Sequence, residues 1–372
     1  MRRVLNIASV LGMLAFLVLT PVFLLPKLIS QPFPRGMASA EESFLMLWSV
    51  ETTEAGSGGL NGFLEKRALN YEKTNKGVFV VVKKLTPEQL VLQLENGNLP
   101  DIISFGLGVG ELIESKLVSY TGRLSVRTEL AEAGKTNNQQ KAVAWSMGGY
   151  LLAARSGVLE SGQSVLAQAL NTGAVGKKGA STYSLTTGGV SNVGLLALVS
   201  ADKSLRITGK TNALNPNIHA QTQYEAYAEF VSSSASNILL GSQRDYARLI
   251  NREKNGNMLV CRYEFLSGFS DIVNYMGITT SDTVKHKHAT RFIEYLTSGG
   301  VQSMLTSIGM FAINGLNYHT ESGYREYENA INKPIKTINV FTSHSKLDEL
   351  KSLCLSALNG QDTAFSKLQG YI

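Results

Sequence analysis

The densest group of chemistry-bearing residues is Gln243-Arg244-Asp245, three hydrogen-bonding side chains that directly follow Gly241-Ser242 at the start of a predicted helix. Groups of this kind at a helix N-terminus can meet hydroxyls or a carboxylate. The alternative is that Asp245 caps the helix and Arg244 pairs locally. Ser104, Phe105 and Gly106 end a short apolar run, and Asp271 stands just before another, Ile272 to Ile278. The two tryptophans, Trp48 and Trp145, fall near the ends of predicted strands and join Phe105 in offering flat apolar faces. Each ring serves equally well as core or hinge packing. Flat faces beside planar polar groups suit non-covalent capture of a small polar solute.

Covalent and metal chemistry find less support. His286 and His288 are two residues apart on a predicted helix, hence about 200° apart around its axis, and cannot share a metal. His219, His319 and His344 are scattered, and neither G-x-S-x-G nor H-E-x-x-H occurs. The glycines at 106, 108 and 110 lack the spacing of a dinucleotide loop, because residue 111 is Glu. Ser204 to Thr211 ends like a phosphate loop but has Ser where its first glycine belongs. Glu51, Glu54, Glu111, Asp245 and Asp271 supply carboxylates, more often solvated or ligand-binding at strand ends than catalytic. The expectation is therefore no catalytic residue, no metal and no cofactor.

The elements that position these residues are legible. Val78 to Lys83 is a β-branched and aromatic run too short for a helix, so it reads as a buried strand. Thr86, Pro87 and Gln89 spell a capped helix start, Leu90, Val91 and Leu94 its apolar face, and Gly97 its left-handed end. Asp101 to Phe105 is the next strand, and strand, helix and strand together make a right-handed parallel crossover. Ligands of open parallel sheets bind beyond the carboxyl ends of the strands, which is where Ser104, Phe105 and Gly106 fall. Phe44 to Val50 predicts the first strand, and Leu60, Phe63, Leu64, Ala68 and Tyr71 one helix face. Lys141 to Ala154 predicts two strands split by Gly148-Gly149. Residues 156–235 are weakly periodic and predict a small second α/β lobe. Strands over Ile238 to Gly241 and Leu259 to Phe265 follow, then helices from Gln243, from Asp282, over Val301 to Ile308 and over Lys346 to Leu358.

The chain has 372 residues, 44% apolar and 17% charged, a globular composition long enough for two domains. Its formal charge is +6, but Arg2, Arg3, Lys27 and Arg35 leave only a net +2 for the remainder. No dense basic run with interleaved aromatics occurs there, so nucleic acid is not an expected partner. Val4 to Leu25 is apolar apart from Asn6, Ser9 and Thr20, long enough to cross a hydrocarbon core of about 30 Å. With Arg2 and Arg3 before it, the positive-inside rule exports the rest. Two readings compete, an uncleaved anchor and a signal peptide cut after Ala38-Ser39-Ala40. Cys261 and Cys354 are either paired outside the cell or free and buried.

The first strand, the VFVVVK strand, the amphipathic helix and NGNLPDIISFG resemble the extracellular solute-binding proteins of family 1, the sugar-binding subunits of ABC importers. Residues 270–314, running from SDIVNYMGI to MFAING, resemble the second signature of that family. The middle of the chain, 156–235, departs from it. The resemblance implies a two-lobed α/β fold of the type 2 periplasmic-binding class with an N-terminal membrane helix. It divides the chain into a membrane segment (1–30), a linker (31–42), one lobe (43–146 with 272–328) and another (147–271 with 329–372). It implies an extracytoplasmic, monomeric binding protein, tethered through residues 4–29 or secreted, that closes on a mono- or oligosaccharide and docks on ABC permease subunits. The candidate ligand-binding set, read from the residues themselves, is Trp48, Ser104, Phe105, Gly106, Trp145, Gln243, Arg244, Asp245 and Asp271. A surface sensor of the same fold without a permease and an extracellular carbohydrate-active enzyme remain alternatives. The resemblance also implies a cysteine directly after the leader for lipid attachment, and this chain has none there.

Overall fold

The computed structural model describes residues 42–155, 164–166, 182–186, 193–206, 217–232, 236–257, 260–358 and 361–372. The expected membrane segment and cleavage site, and much of 156–235, lie outside the described residues. Ser43–Ile372 forms one compact unit. No helix among the described residues is long and apolar enough to cross a membrane.

The unit is built on two five-stranded sheets. The first contains β1 (Ser43–Val50), β2 (Val78–Leu85), β3 (Ile102–Phe105), β4 (Ala142–Met147) and, from much later in the chain, β10 (Val273–Ile278). Its strand order is β2-β1-β3-β10-β4. β1 runs parallel to β2 and β3, whereas β10 is antiparallel to both its neighbours, β3 and β4. Strands β3 and β10 and the edge strand β4 are buried along their whole length, so their near-continuous apolar runs carry no alternation.

Helix α1 (Leu60–Thr74) buries Phe63, Leu64, Ala68 and Tyr71, as its spacing predicts. Helix α2 (Pro87–Glu95) opens with the predicted capping box: Thr86 Oγ1 accepts the Gln89 N–H, and Gln89 Oε1 accepts the Thr86 N–H. Gly97 ends it at φ +73, a left-handed conformation that a side chain would strain.

The second sheet contains β5 (Tyr150–Arg155), β6 (Thr182–Thr186), β7 (Asn217–Gln221), β8 (Ser236–Ser242) and β9 (Cys261–Phe265), in the order β9-β5-β8-β6-β7. Here β6, β7 and β8 are parallel, and β5 is antiparallel to β8 and β9. Helices α3 (Leu195–Arg206), α4 (Gln223–Ser232) and α5 (Gln243–Lys254) belong to this sheet. Its second face is covered by α3 with α8 (His344–Leu358) and α9 (Asp362–Leu368), which share one apolar cluster with Leu152, Ala154, Ile238 and Leu240. Helix α6 (Thr283–Leu296) packs Ala289, Phe292, Ile293 and Leu296 against the first sheet, again at the predicted spacing. The following repeat, read as a helix over Val301 to Ile308, is one α-turn at Gly299–Gln302 and a 3-10 helix at Ser303–Ile308.

The chain passes between the sheets at Gly148-Gly149, between β4 and β5, and returns through Leu266 to Ile272 into β10. It then forms α7 (Ser322–Ile331), whose Tyr327 ring stacks on Phe265 of β9 at 4.4 Å between centroids. Bridges Met147 to Phe311 and Phe269 to Lys336 knit these crossings together. The Gly148 N–H donates to the Ile272 carbonyl (2.7 Å), and Ser270 Oγ donates to the Gly148 carbonyl (2.9 Å).

Candidate functional site

The registers bring the carboxyl ends of both sheets to the crossings. Val273 pairs with Met147 and Tyr275 with Phe105 in the first sheet, and Ser242 pairs with Tyr150 in the second. The loop after β1, Thr52 to Gly59, and the N-terminus of α5 then meet across the gap. Gln243 Nε2 donates to the Glu54 carbonyl at 2.7 Å, while its Oε1 accepts the Gly149 N–H at 3.2 Å. Arg244 Nε and Arg248 Nη2 each lie 3.6 Å from Glu54 Oε2. Arg248 also sits over the Tyr227 ring at 5.3 Å and 3.9 Å from Asp245 Oδ1.

Two polar atoms at this junction are buried and find no hydrogen-bond partner among the described residues: Thr52 Oγ1 on one side and Arg244 Nε on the other. An unsatisfied buried polar group costs about 1–3 kcal/mol, so one on the loop after β1 and one at the start of α5 mark a place suited to hydroxyl or carboxylate groups. The loop carrying Thr52 is held from below: Thr53 Oγ1 donates to Asn274 Oδ1, and Asn274 Nδ2 donates to Ser146 Oγ, both at 3.0 Å. Gly106 lies so close that a Cβ there would stand 2.3 Å from Thr52 Oγ1. Its glycine lets the two loops touch.

The structure thus brings Gly106, Gln243 and Arg244 together at the junction of the sheets. Asp245 is buried and accepts the Ser242 N–H at 2.9 Å, and Ser242 Oγ accepts the Arg244 N–H, so it closes the capping box of α5. The rings lie elsewhere. Trp145, only 1% exposed, stacks on Phe63 at 6.0 Å and donates from Nε1 to Ser104 Oγ at 3.0 Å. Trp48 is buried with Lys83 Nζ 5.7 Å from its ring centre, and Phe105 packs against Phe341 at 6.2 Å. Residues on strands covered on both faces have no open side to offer a solute.

Asp271 lies in the return crossing, buried, with Oδ1 accepting the Tyr150 hydroxyl and Oδ2 the Val193 N–H, both at 2.6 Å. Burial raises its pKa, and these two donors pull it partly back. The same burial, with the Asp271 charge, raises Tyr150 well above the ordinary phenol value. Asp271 ties the crossing to the residues just before α3.

Cys261 and Cys354 are both buried, and no disulfide joins them. Among the described residues no three His, Cys, Asp or Glu side chains are grouped to hold a metal ion. Thr52 and Arg248 escaped the sequence reading, though both had a signal. Thr52 follows the first strand at its carboxyl end, and Arg248 is one helical turn beyond Arg244 on the same face.

No protein-family model matches the chain, and no curated protein matches it. Solved structures do. The sugar-binding protein MalE from Xanthomonas citri is 14% identical, with 88% of this chain and 95% of that one aligned at a TM-score of 0.59. The GacH receptor of Streptomyces glaucescens, solved unliganded and with acarbose, is 11% identical over 87% and 96%, TM-score 0.57. The chain has the two-lobed fold of the solute-binding proteins. Iron-bound HitA from Pseudomonas aeruginosa shares it too, at 14% identity over 84% and 99% and a TM-score of 0.54. One fold therefore holds a sugar in some relatives of shape and a metal ion in another, and the ligand must be argued from side chains.

Proposed function

We propose that the chain is an extracytoplasmic binding protein that captures a saccharide between its two lobes and delivers it to an ABC-type importer. The lobes are 43–146 with 272–328, and 147–271 with 329–372, joined at the crossings and free to hinge. The observation that carries the reading is that two buried atoms at the carboxyl ends of the two sheets, Thr52 Oγ1 and Arg244 Nε, have no hydrogen-bond partner, the latter with only the Glu54 carboxylate at 3.6 Å. A hydroxyl-rich ligand satisfies both at once, since each hydroxyl donates and accepts. The sugar-binding MalE and acarbose-binding GacH structures support the same ligand class. Gly106, Gln243, Arg244, Arg248 and Thr52 form the proposed contact set, with Glu54 as a cross-gap partner that gives way when ligand enters. A micromolar site needs about 8 kcal/mol, within reach of several such bonds without any covalent step. The protein works as a monomer held to the outer face of the membrane through residues 4–29, with permease subunits meeting the rims of both lobes.

Calorimetric titration of residues 43–372 against linear and cyclic oligosaccharides tests it. At least one neutral saccharide binds, and Thr52→Ala or Arg244→Ala weakens it about tenfold or more while the unliganded melting temperature holds. Absence of binding across the panel, or equal binding by both variants, defeats the proposal.

A further inference from the structure

A second surface on the first sheet lies away from the cleft. Alternate residues of a strand share one face, so Phe44, Met46, Trp48 and Val50 of β1 line up with Phe79, Val81, Lys83 and Leu85 of β2. Helix α2 is short and covers only the carboxyl half, where Trp48, Val50 and Leu85 join Leu90 in the core. The other half is bare. Phe44 is 58% exposed, Val81 50%, and Met46 and Phe79 37% each, with the two phenyl rings stacked at 4.9 Å. Leu99, also exposed, comes two residues before Asp101, whose Oδ2 accepts the Met46 N–H at 2.8 Å. Contiguous apolar surface of this kind on a soluble face marks an interaction site.

We infer, resting on the membrane tether of the proposed function, that this patch lies against the outer surface of the lipid bilayer. Phe44 is the second residue of the folded unit, so the patch begins where the chain enters it. The apolar run ends at Leu25, and the stretch from there to Ser43 reaches at most about 60 Å when fully extended. A tether of that length holds the patch at high effective concentration beside the membrane, where even weak adsorption is realised. Composition fits the place: stacked phenylalanines, Met46 and Val81 seat at the acyl boundary, with exposed Lys76 just before β2 and exposed Lys83 within it available to anionic headgroups. Adsorption there fixes the orientation of the first lobe and leaves the cleft between the sheets uncovered.

The test uses the full chain reconstituted into vesicles containing phosphatidylglycerol and spin-labelled lipid. Both native thiols are buried, so a fluorophore goes selectively onto Val81→Cys or, as a control on α4, onto the highly exposed Tyr224→Cys. The label at 81 is quenched several-fold more strongly than that at 224, and high salt reduces the difference. In flotation, residues 43–372 bind the same vesicles, and Val81→Asp lowers that partitioning about tenfold or more. Equal quenching at both positions overturns the inference. So does a dimer of residues 43–372 in sedimentation that Val81→Asp abolishes, since the patch would then cover a second copy.

Discussion

Asp271→Ala removes two short bonds to a buried carboxylate and orphans the Tyr150 hydroxyl and the Val193 N–H. Bonds to a charged acceptor contribute about 1.5–3 kcal/mol each, and buried orphans add to the loss, so the substitution destabilises by about 3–5 kcal/mol. For a body of this size the unfolding entropy is about 0.7 kcal/mol per degree, which converts to a fall of about 4–7 °C in melting temperature. Asp271→Asn keeps the shape and one acceptor, and it isolates the charge. Burial holds the folded-state pKa of Asp271 above the ordinary value of about 4. Between that ordinary value and the raised one, the folded protein binds more protons than the unfolded chain. Stability from this group is therefore full below about pH 4 and is lost as pH rises through the raised pKa. Asparagine has no such dependence, so the melting temperature of Asp271→Asn minus that of the wild type grows as pH climbs from about 4. Scanning calorimetry of the three proteins from acid to neutral pH measures it. A flat difference refutes the burial argument. An Asp271→Ala protein that melts normally but no longer binds solute refutes the structural role itself.

Other outcomes follow from the same geometry. Gly106→Ala drives a methyl into Thr52 Oγ1 and displaces the loop that carries Glu54; solute binding in calorimetry falls about tenfold or more. Glu54→Ala removes a half-exposed partner of Arg244 and Arg248, so stability changes by less than about 1 kcal/mol in urea titration while small-angle scattering shows a more open unliganded form. Trp145→Phe leaves Ser104 Oγ without its indole donor and costs about 1–3 kcal/mol in urea titration, with solute affinity unchanged. Burial pushes the Cys261 thiol up to about 12 and raises Cys354 as well, so neither reacts with a thiol reagent at pH 8 until denaturant is added.

Much of the first lobe was legible because its signals are local. The Thr86 box, Gly97 and the spacing of α6 each lie within one or two helical turns, and each appears as read. The start of α5 at Gln243 and Arg244, after a glycine turn, is a local signal too. The rings of Trp48, Phe105 and Trp145 were harder. A strand end looks alike whether its face is open or covered, and here coverage comes from distant parts of the chain, such as Phe341 and Phe63. The orphaned atoms are likewise invisible in one dimension, since the burial of Thr52 Oγ1 and Arg244 Nε comes from distant parts of the chain. Asp271 was correctly placed beside a crossing, but its partners Tyr150 and Val193 become apparent only in three dimensions.

The position of β10 between β3 and β4 governs how this protein can be made. The first sheet is split until residues 273–278 arrive, and the second lacks a covering layer until α8 and α9 follow at the very end. Neither half can mature during synthesis while its completing pieces remain in the ribosome. A polypeptide that must wait for its own tail stays open to proteases and to neighbouring chains until its last strand and helices have emerged.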